Sequence, residues 1–210
     1  MLSRVNTCGL LGIDGYMVSV ETYISNGLPA FEIVGLGDAA VKEAKERVRA
    51  AIKNSGFEFP SRRITINLAP ADLKKEGTAY DLPMAIGILA AMGVVPVNSL
   101  EDCVLLGELS LDGTLRPVYG VLPKAITAKE KGFNTIYTPS ENAKEASVIN
   151  GLNVISVKSL SELVMHLNGD ITLAGVQSTC DLFSGDNGEN QPDFADVKGQ
   201  EHVKRALEVA

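Results

Sequence analysis

The sequence predicts an α/β protein with a mixed sheet and flanking helices. Three observations carry that prediction. Short runs rich in β-branched residues, punctuated by turn residues, recur from residue 16 to residue 157. Helical runs with an apolar face, or apolar all round, fall between and after them. No internal repeat of fixed period organises the chain.

The elements follow in order. Tyr16 to Ile24 alternates apolar and polar residues, and Ala30 to Val34 follows the Asn26-Gly27 turn. Asp38 is placed as the N-cap of a helix over Ala39 to Asn54, with Val41, Ala44, Val48, Ala51 and Ile52 on one face and Gly56 as its stop. Arg63 to Ala69 is the clearest strand, and Leu82 to Met92 is apolar almost all round, the mark of a buried helix. In the stretch Cys103 to Val118, Asp112-Gly113 between apolar runs predicts a hairpin. A helix begins near Val121, carries Ala125, Ile126 and Ala128, and ends at Gly132. Asn134 to Thr138 and Asn153 to Val157 read as strands, followed by helices over Glu141 to Ile149 and Ser159 to Leu167. Ser159 caps the last of these, with Glu162 at the capping-box position.

At 210 residues, 45% hydrophobic content and a net charge of -7, the chain is expected to be globular and soluble. Three separated cysteines, Cys8, Cys103 and Cys180, imply free thiols in a reducing compartment. The N-terminus is too weakly apolar for a signal peptide, and no stretch approaches a membrane span, so a cytoplasmic location is expected. Overall acidity excludes a protein that coats nucleic acid with its whole surface.

Residues 1–169 are read as one domain. From residue 170 to 195 the composition turns acidic and poor in apolar residues, which predicts a flexible linker. Residues 196–210 open an amphipathic helix. Charge is segregated. Between Asp38 and Arg63, seven basic residues face four acidic ones. Lys45, Arg49, Lys53, Arg62 and Arg63, with Lys74 and Lys75 in the loop beyond, are a candidate phosphate-backbone contact surface for DNA. The alternative is a solvated helix face supported by the pairs Glu43 with Arg47 and Glu46 with Arg49. The same patch could also meet the acidic linker or a neighbouring subunit.

Asp72, Glu76 and Asp81 match no metal-binding loop, and Asp72 and Asp81 fit better as caps. His166 and His202 lack neighbours for a zinc site. Gly35-x-Gly37 lacks the third glycine of a dinucleotide fingerprint. No metal ligands are therefore assigned.

Several segments converge on one family. Gly27 to Ala50, with its Phe31-Glu-Ile-Val-Gly-Leu-Gly-Asp38 core, Arg63-Ile-Thr-Ile-Asn-Leu-Ala-Pro-Ala-Asp-Leu-Lys-Lys-Glu-Gly77 and Tyr80-Asp-Leu-Pro-Met-Ala-Ile-Gly87 resemble the N-terminal domain of the YifB/ComM family of magnesium-chelatase-like AAA+ ATPases. That resemblance implies a ribosomal-protein-S5 domain-2-like fold, shared with the proteolytic domain of Lon. It also implies a hexameric ring that uses ATP and Mg2+, and for the ComM members a DNA branch-migration helicase role in natural transformation. The final segment, with Val197, Gly199 and Gln200 before a helix, looks like the start of an AAA+ module, where those residues would border the nucleotide. The phosphate-binding pattern Gly-x-x-x-x-Gly-Lys-Ser/Thr occurs nowhere in the chain, which is therefore expected to be the front piece of a longer ATPase without catalysis of its own.

Lon-type proteases pair a Ser nucleophile in Asp-Gly-Pro-Ser-Ala-Gly with a Lys base from Gly-Gly-Leu-Lys. The resemblance places Met84 at the nucleophile and Leu122 at the base, so both members of the dyad are missing. Thr78 with Lys124 is the pair that would restore a Ser/Thr-Lys peptidase. A third reading is a protein-docking domain of a chelatase-like or chaperone-like ATPase, which would show an exposed apolar patch.

Overall fold

A computed structural model describes residues 1–176 and 197–209. The chain divides into two units, each described by itself. The first is built on a seven-stranded sheet of β1 (Leu2–Leu11), β2 (Asp14–Ser25), β3 (Ala30–Val34), β4 (Arg63–Ala69), β5 (Cys103–Leu105), β8 (Thr135–Pro139) and β9 (Asn153–Val157). Their spatial order is β3, β4, β2, β1, β5, β8, β9, and β2 alone runs antiparallel to its neighbours. A separate hairpin pairs β6 (Glu108–Leu109) with β7 (Leu115–Arg116).

The helices are α1 (Ala39–Asn54), α2 (Asp81–Ala91), α3 (Val121–Glu130), the single turn α4 (Ala143–Ala146) and α5 (Leu160–Asn168). Two apolar clusters separate the faces of the sheet. One gathers α1, α2 and α5 over Val5, Leu105, Tyr137 and Ile155. The other gathers α3 and α4 over Cys8, Val104, Ile136 and Val154. Neighbours such as Ile136 and Tyr137 fall in opposite clusters, as the twofold alternation of a strand requires. The α/β expectation with a mixed sheet and flanking helices holds.

Local chemistry explains most elements. The Asp38 carboxylate accepts the Val41 N–H at 2.8 Å, and α1 buries Val41, Ala44, Val48, Ala51 and Ile52, the face read from the sequence. Every residue of α2 is buried, and Pro83 sits in its first turn, where its missing N–H costs nothing. Ser159 Oγ accepts the Glu162 N–H at 3.2 Å, and Glu162 accepts the Lys158 N–H at 2.6 Å, so the capping pair forms one residue further back than the usual box.

The structure differs from the sequence reading in several places. β1 is not evident in the sequence, because its glycine and polar residues break the alternation. Cys103–Leu105 joins the main sheet, and only Glu108–Leu109 and Leu115–Arg116 form the Asp112-Gly113 hairpin. The helix expected over Glu141 to Ile149 shrinks to one turn; Ser147 Oγ donates to the Lys144 carbonyl at 2.9 Å, a local bond that competes with helical continuation. In α3, Ala125 and Ala128 are buried and Ile126 is exposed. Within the stretch assigned to the linker, Gly175 bridges to Ile155 and the Val176 N–H donates to the Val154 carbonyl at 2.7 Å, so the first unit holds the chain that far. Residues 177–196, including Cys180, lie outside the described residues.

In the second unit, Gly199 and Gln200 adopt positive φ (74° and 62°) and the Gln200 carbonyl accepts the N–H groups of Val203 and Lys204, which starts α6 (Glu201–Val209).

Candidate functional site

The basic residues singled out in the sequence do not form one surface. Lys45, Arg49 and Lys53 recur every four residues and therefore share one stripe of α1. Arg49 lies with its guanidinium over the Phe59 ring at 5.1 Å. That contact brings the loop carrying exposed Arg62 to the stripe. Arg63, at the start of β4, is exposed but paired to Glu32 at 3.1 Å. No ion pair is found for Lys45, Lys53 or Arg62 among the described residues.

The loop lysines part from this group. Lys74 is exposed and held by Glu76 at 2.7 Å. Lys75 is 0% exposed, its ammonium held by the carbonyls of Pro70 and Leu73, with 2.7 Å to the latter. Burial pulls its pKa below the ordinary lysine value. A phosphate cannot reach Lys75, so it is withdrawn from the candidate DNA contacts. It is a structural lysine that pins the loop against the Gly35-Leu36-Gly37 crossing: its N–H donates to Leu36 and its carbonyl accepts from Asp38. Gly35 is required there, since a Cβ would meet the Leu68 carbonyl at 2.3 Å.

The helix-face pair Glu43 with Arg47 does not form either. Arg47 turns inward and donates through Nε and Nη2 to both carboxylate oxygens of Asp81, at 2.7 and 3.0 Å. Asp81 is not a cap; its side chain is 1% exposed and also accepts the Leu109 N–H at 3.2 Å. Burial pushes its pKa up to about 6, against the pull of Arg47. Among the described residues no group of three or more potential metal ligands occurs. His166 is engaged in the fold, its Nδ1 accepting the Leu173 N–H at 3.2 Å.

A cleft of about 540 Å³ opens beside the first turn of α2, lined by Gly9, Leu10, Glu76, Thr78, Ala79, Tyr80, Glu108, Tyr119 and Lys124. Lys124 is 5% exposed, and burial pulls its amine down to about 8. Its Nζ donates to the Tyr119 carbonyl at 2.8 Å. Thr78 Oγ1 donates instead to Glu108, at 2.5 Å. No hydroxyl hydrogen-bonds to Lys124 among the described residues, so the Thr78 and Lys124 pair is not assembled. Met84, at the position the resemblance gives to the nucleophile, lies in the first turn of α2 and is fully buried in the core. Cys8 is fully buried, and burial pushes its thiol up to about 12, which leaves it inert at neutral pH.

Val197, Gly199 and Gln200 are exposed at the start of α6. The pattern Gly-x-x-x-x-Gly-Lys-Ser/Thr, which would supply a phosphate cradle, does not occur beside them in the sequence. No described helix is long and apolar enough to cross a membrane.

Fold and cleft together define a Lon-like α/β domain in which, among the described residues, no nucleophile hydrogen-bonds to the buried lysine. The chain is 30% identical over 124 residues, 59% of its length, to Lon protease 2 of Bacillus subtilis, covering 22% of that protein. A family model described as subunit ChlI of magnesium chelatase matches residues 20–142, and the chain belongs to this magnesium-chelatase-like ATPase family. It is 42% identical to competence protein ComM of Haemophilus influenzae over an alignment of 213 positions that takes in 100% of this chain and 41% of that protein. It is 44% identical over 208 residues, 99% of its length, to the uncharacterised protein YifB of Escherichia coli, covering 40% of it. The chain thus spans about two fifths of the length of these relatives.

Proposed function

We propose that this chain is the N-terminal binding and regulatory part of a hexameric magnesium-chelatase-like AAA+ ATPase, a cytoplasmic DNA helicase that drives branch migration during natural transformation and recombination. Residues 170–195 link this part to an ATPase module beginning near residue 196, which supplies ATP and Mg2+ binding in the whole protein. Membership of the magnesium chelatase family and the likeness to a competence protein support this reading.

The observation that carries the DNA contact is the stripe of Lys45, Arg49 and Lys53, joined to Arg62 through Phe59. Cations at one-turn spacing suit the phosphate backbone, and an aromatic ring beneath a guanidinium holds it in place without neutralising it. The test is binding of fluorescent single-stranded and forked DNA across a salt series, with Lys45, Arg49, Lys53 and Arg62 changed to Ala together. Each phosphate contact on a single strand contributes about 0.7 to the slope of log affinity against log salt, so the variant is expected to lose about 3 from that slope. Equal slopes for the two proteins would remove DNA from this face.

A further inference from the structure

The basic stripe of α1 adjoins a pocket. Phe59, whose ring carries the Arg49 guanidinium at 5.1 Å, also lines a pocket of about 410 Å³ with Ile24, Pro60 and Met92, and Arg62 stands at the same pocket. That volume falls within the range of about 300 to 1,000 Å³ typical of small-molecule sites. The walls are anchored from behind. Ile24 is buried in the core, Met92 packs against it, and the Phe31 ring lies 5.9 Å from that of Phe59.

Charge sorts what can enter. Glu58 lines the pocket, is exposed, and makes no hydrogen bond or ion pair among the described residues. A carboxylate accepts hydrogen bonds and repels phosphate. Outside the pocket the signs reverse: Arg49 donates no hydrogen bond among the described residues, and its Nε is buried without an acceptor. A strand of nucleic acid laid here keeps its phosphates on the stripe and turns a base inward. Apolar walls suit the faces of a flat base, and its edge meets Glu58. Guanine sets a ring N–H beside an amino group, two adjacent donors that match the two oxygens of one carboxylate. The pairing edges of adenine, cytosine and thymine each set a donor beside an acceptor, which a carboxylate repels. In a duplex that edge is already paired.

We propose that this pocket takes one unpaired guanine from a DNA strand whose phosphates lie on the α1 stripe, with Glu58 reading the base edge. This rests on the DNA contact proposed above and adds to it a preference for single strands and for one base. The test uses the 210-residue chain and fluorescein-labelled oligo(dT), with or without one central dG, followed by anisotropy. The strand with dG is expected to bind about tenfold tighter than oligo(dT), within the worth of a bidentate base contact. That advantage is expected to vanish when the dG is paired to a complementary strand. It is also expected to vanish in Glu58→Gln, a substitution at an exposed position, while oligo(dT) stays bound with its salt dependence unchanged. A strand carrying 6-thio-dG, irradiated and mapped by mass spectrometry, is expected to cross-link within residues 58–62 or at Met92. Equal affinity for the two strands, a dG preference that survives pairing or Glu58→Gln, or cross-links confined to other residues would each overturn the pocket and leave the DNA contact to its own salt test. Binding of neither strand at low salt would overturn both.

Discussion

Replacing Arg47 with Met isolates the one buried charge pair between α1 and α2. The native guanidinium holds both oxygens of Asp81, whose side chain is 1% exposed. Burial raises that carboxyl from 3.8 to about 6 even with Arg47 in place. A raised pKa means that native Asp81 binds its proton more tightly than the unfolded chain does. Its contribution therefore favours folding at acid pH, declines as pH rises from about 4 to about 6, and is constant above that. Without Arg47 the carboxyl climbs further and stays protonated in the native variant at neutral pH. The substitution then costs the free energy by which ionised Asp81 lies below its protonated form in the wild type. At roughly 1 to 1.5 kcal/mol per pH unit, that is on the order of 1 kcal/mol at pH 7, about 3 at pH 8, and close to nothing at pH 5. Hydrogen bonds that would persist to the protonated carboxyl add about 1 to 2 kcal/mol at every pH. The expected total is about 3 kcal/mol at pH 7, at the low end for removing one partner of a buried pair. Urea unfolding followed by far-ultraviolet circular dichroism from pH 5 to 8 measures it, since the chain has no tryptophan. A cost that does not grow above pH 6 would refute the reasoning. So would a pH dependence that survives in the Asp81→Asn background.

Other substitutions test the remaining structural assignments. Lys75→Met should cost about 2 to 3 kcal/mol in urea unfolding, because two buried carbonyls lose their donor, and should leave the salt dependence of DNA binding unchanged. Gly35→Ala, at φ 103° and against the Leu68 carbonyl, should lower stability by about 3 kcal/mol, read as a drop in Tm. Leu36 is 58% exposed at φ 56°, so Leu36→Asn should raise stability by about 0.5 to 1 kcal/mol by relieving left-handed strain. Ser159→Ala removes the cap of α5 and should cost about 1 kcal/mol in the same assay.

The sequence made helices legible where side-chain chemistry is local. Asp38 and Ser159 are caps because a short oxygen-bearing side chain reaches an N–H two or three residues away, and that needs no knowledge of the fold. The buried face of α1 follows from spacing alone. Long-range geometry stayed hidden for an equally physical reason. Lys75 and Lys74 are adjacent and chemically identical, yet one is in water and the other is enclosed by two carbonyls of its own loop. Nothing in their order separates them. Arg47 looked like the partner of Glu43 because helix spacing allows it, while Asp81, 34 residues away, offered a deeper and bidentate site. The cleft was half legible. Its lysine and threonine can be named from the sequence, but that Thr78 turns to Glu108 and not to Lys124 depends on the fold. The pocket at Phe59 could not be read at all, since Ile24, Phe59 and Met92 meet only through packing.

The inward fork of Arg47 also divides the basic residues of α1 by what each position can tolerate. For the proposed DNA contact, Lys45 and Lys53 need only supply a positive charge, so exchange between Lys and Arg there would keep the sign and lose little. At position 47 the two oxygens of Asp81 demand two parallel donors from one plane, and a lysine would serve one of them and strand the other in the core. Of residues that look interchangeable along one helix, Arg47 is the position where a change at constant charge acts on folding and leaves any surface ligand untouched.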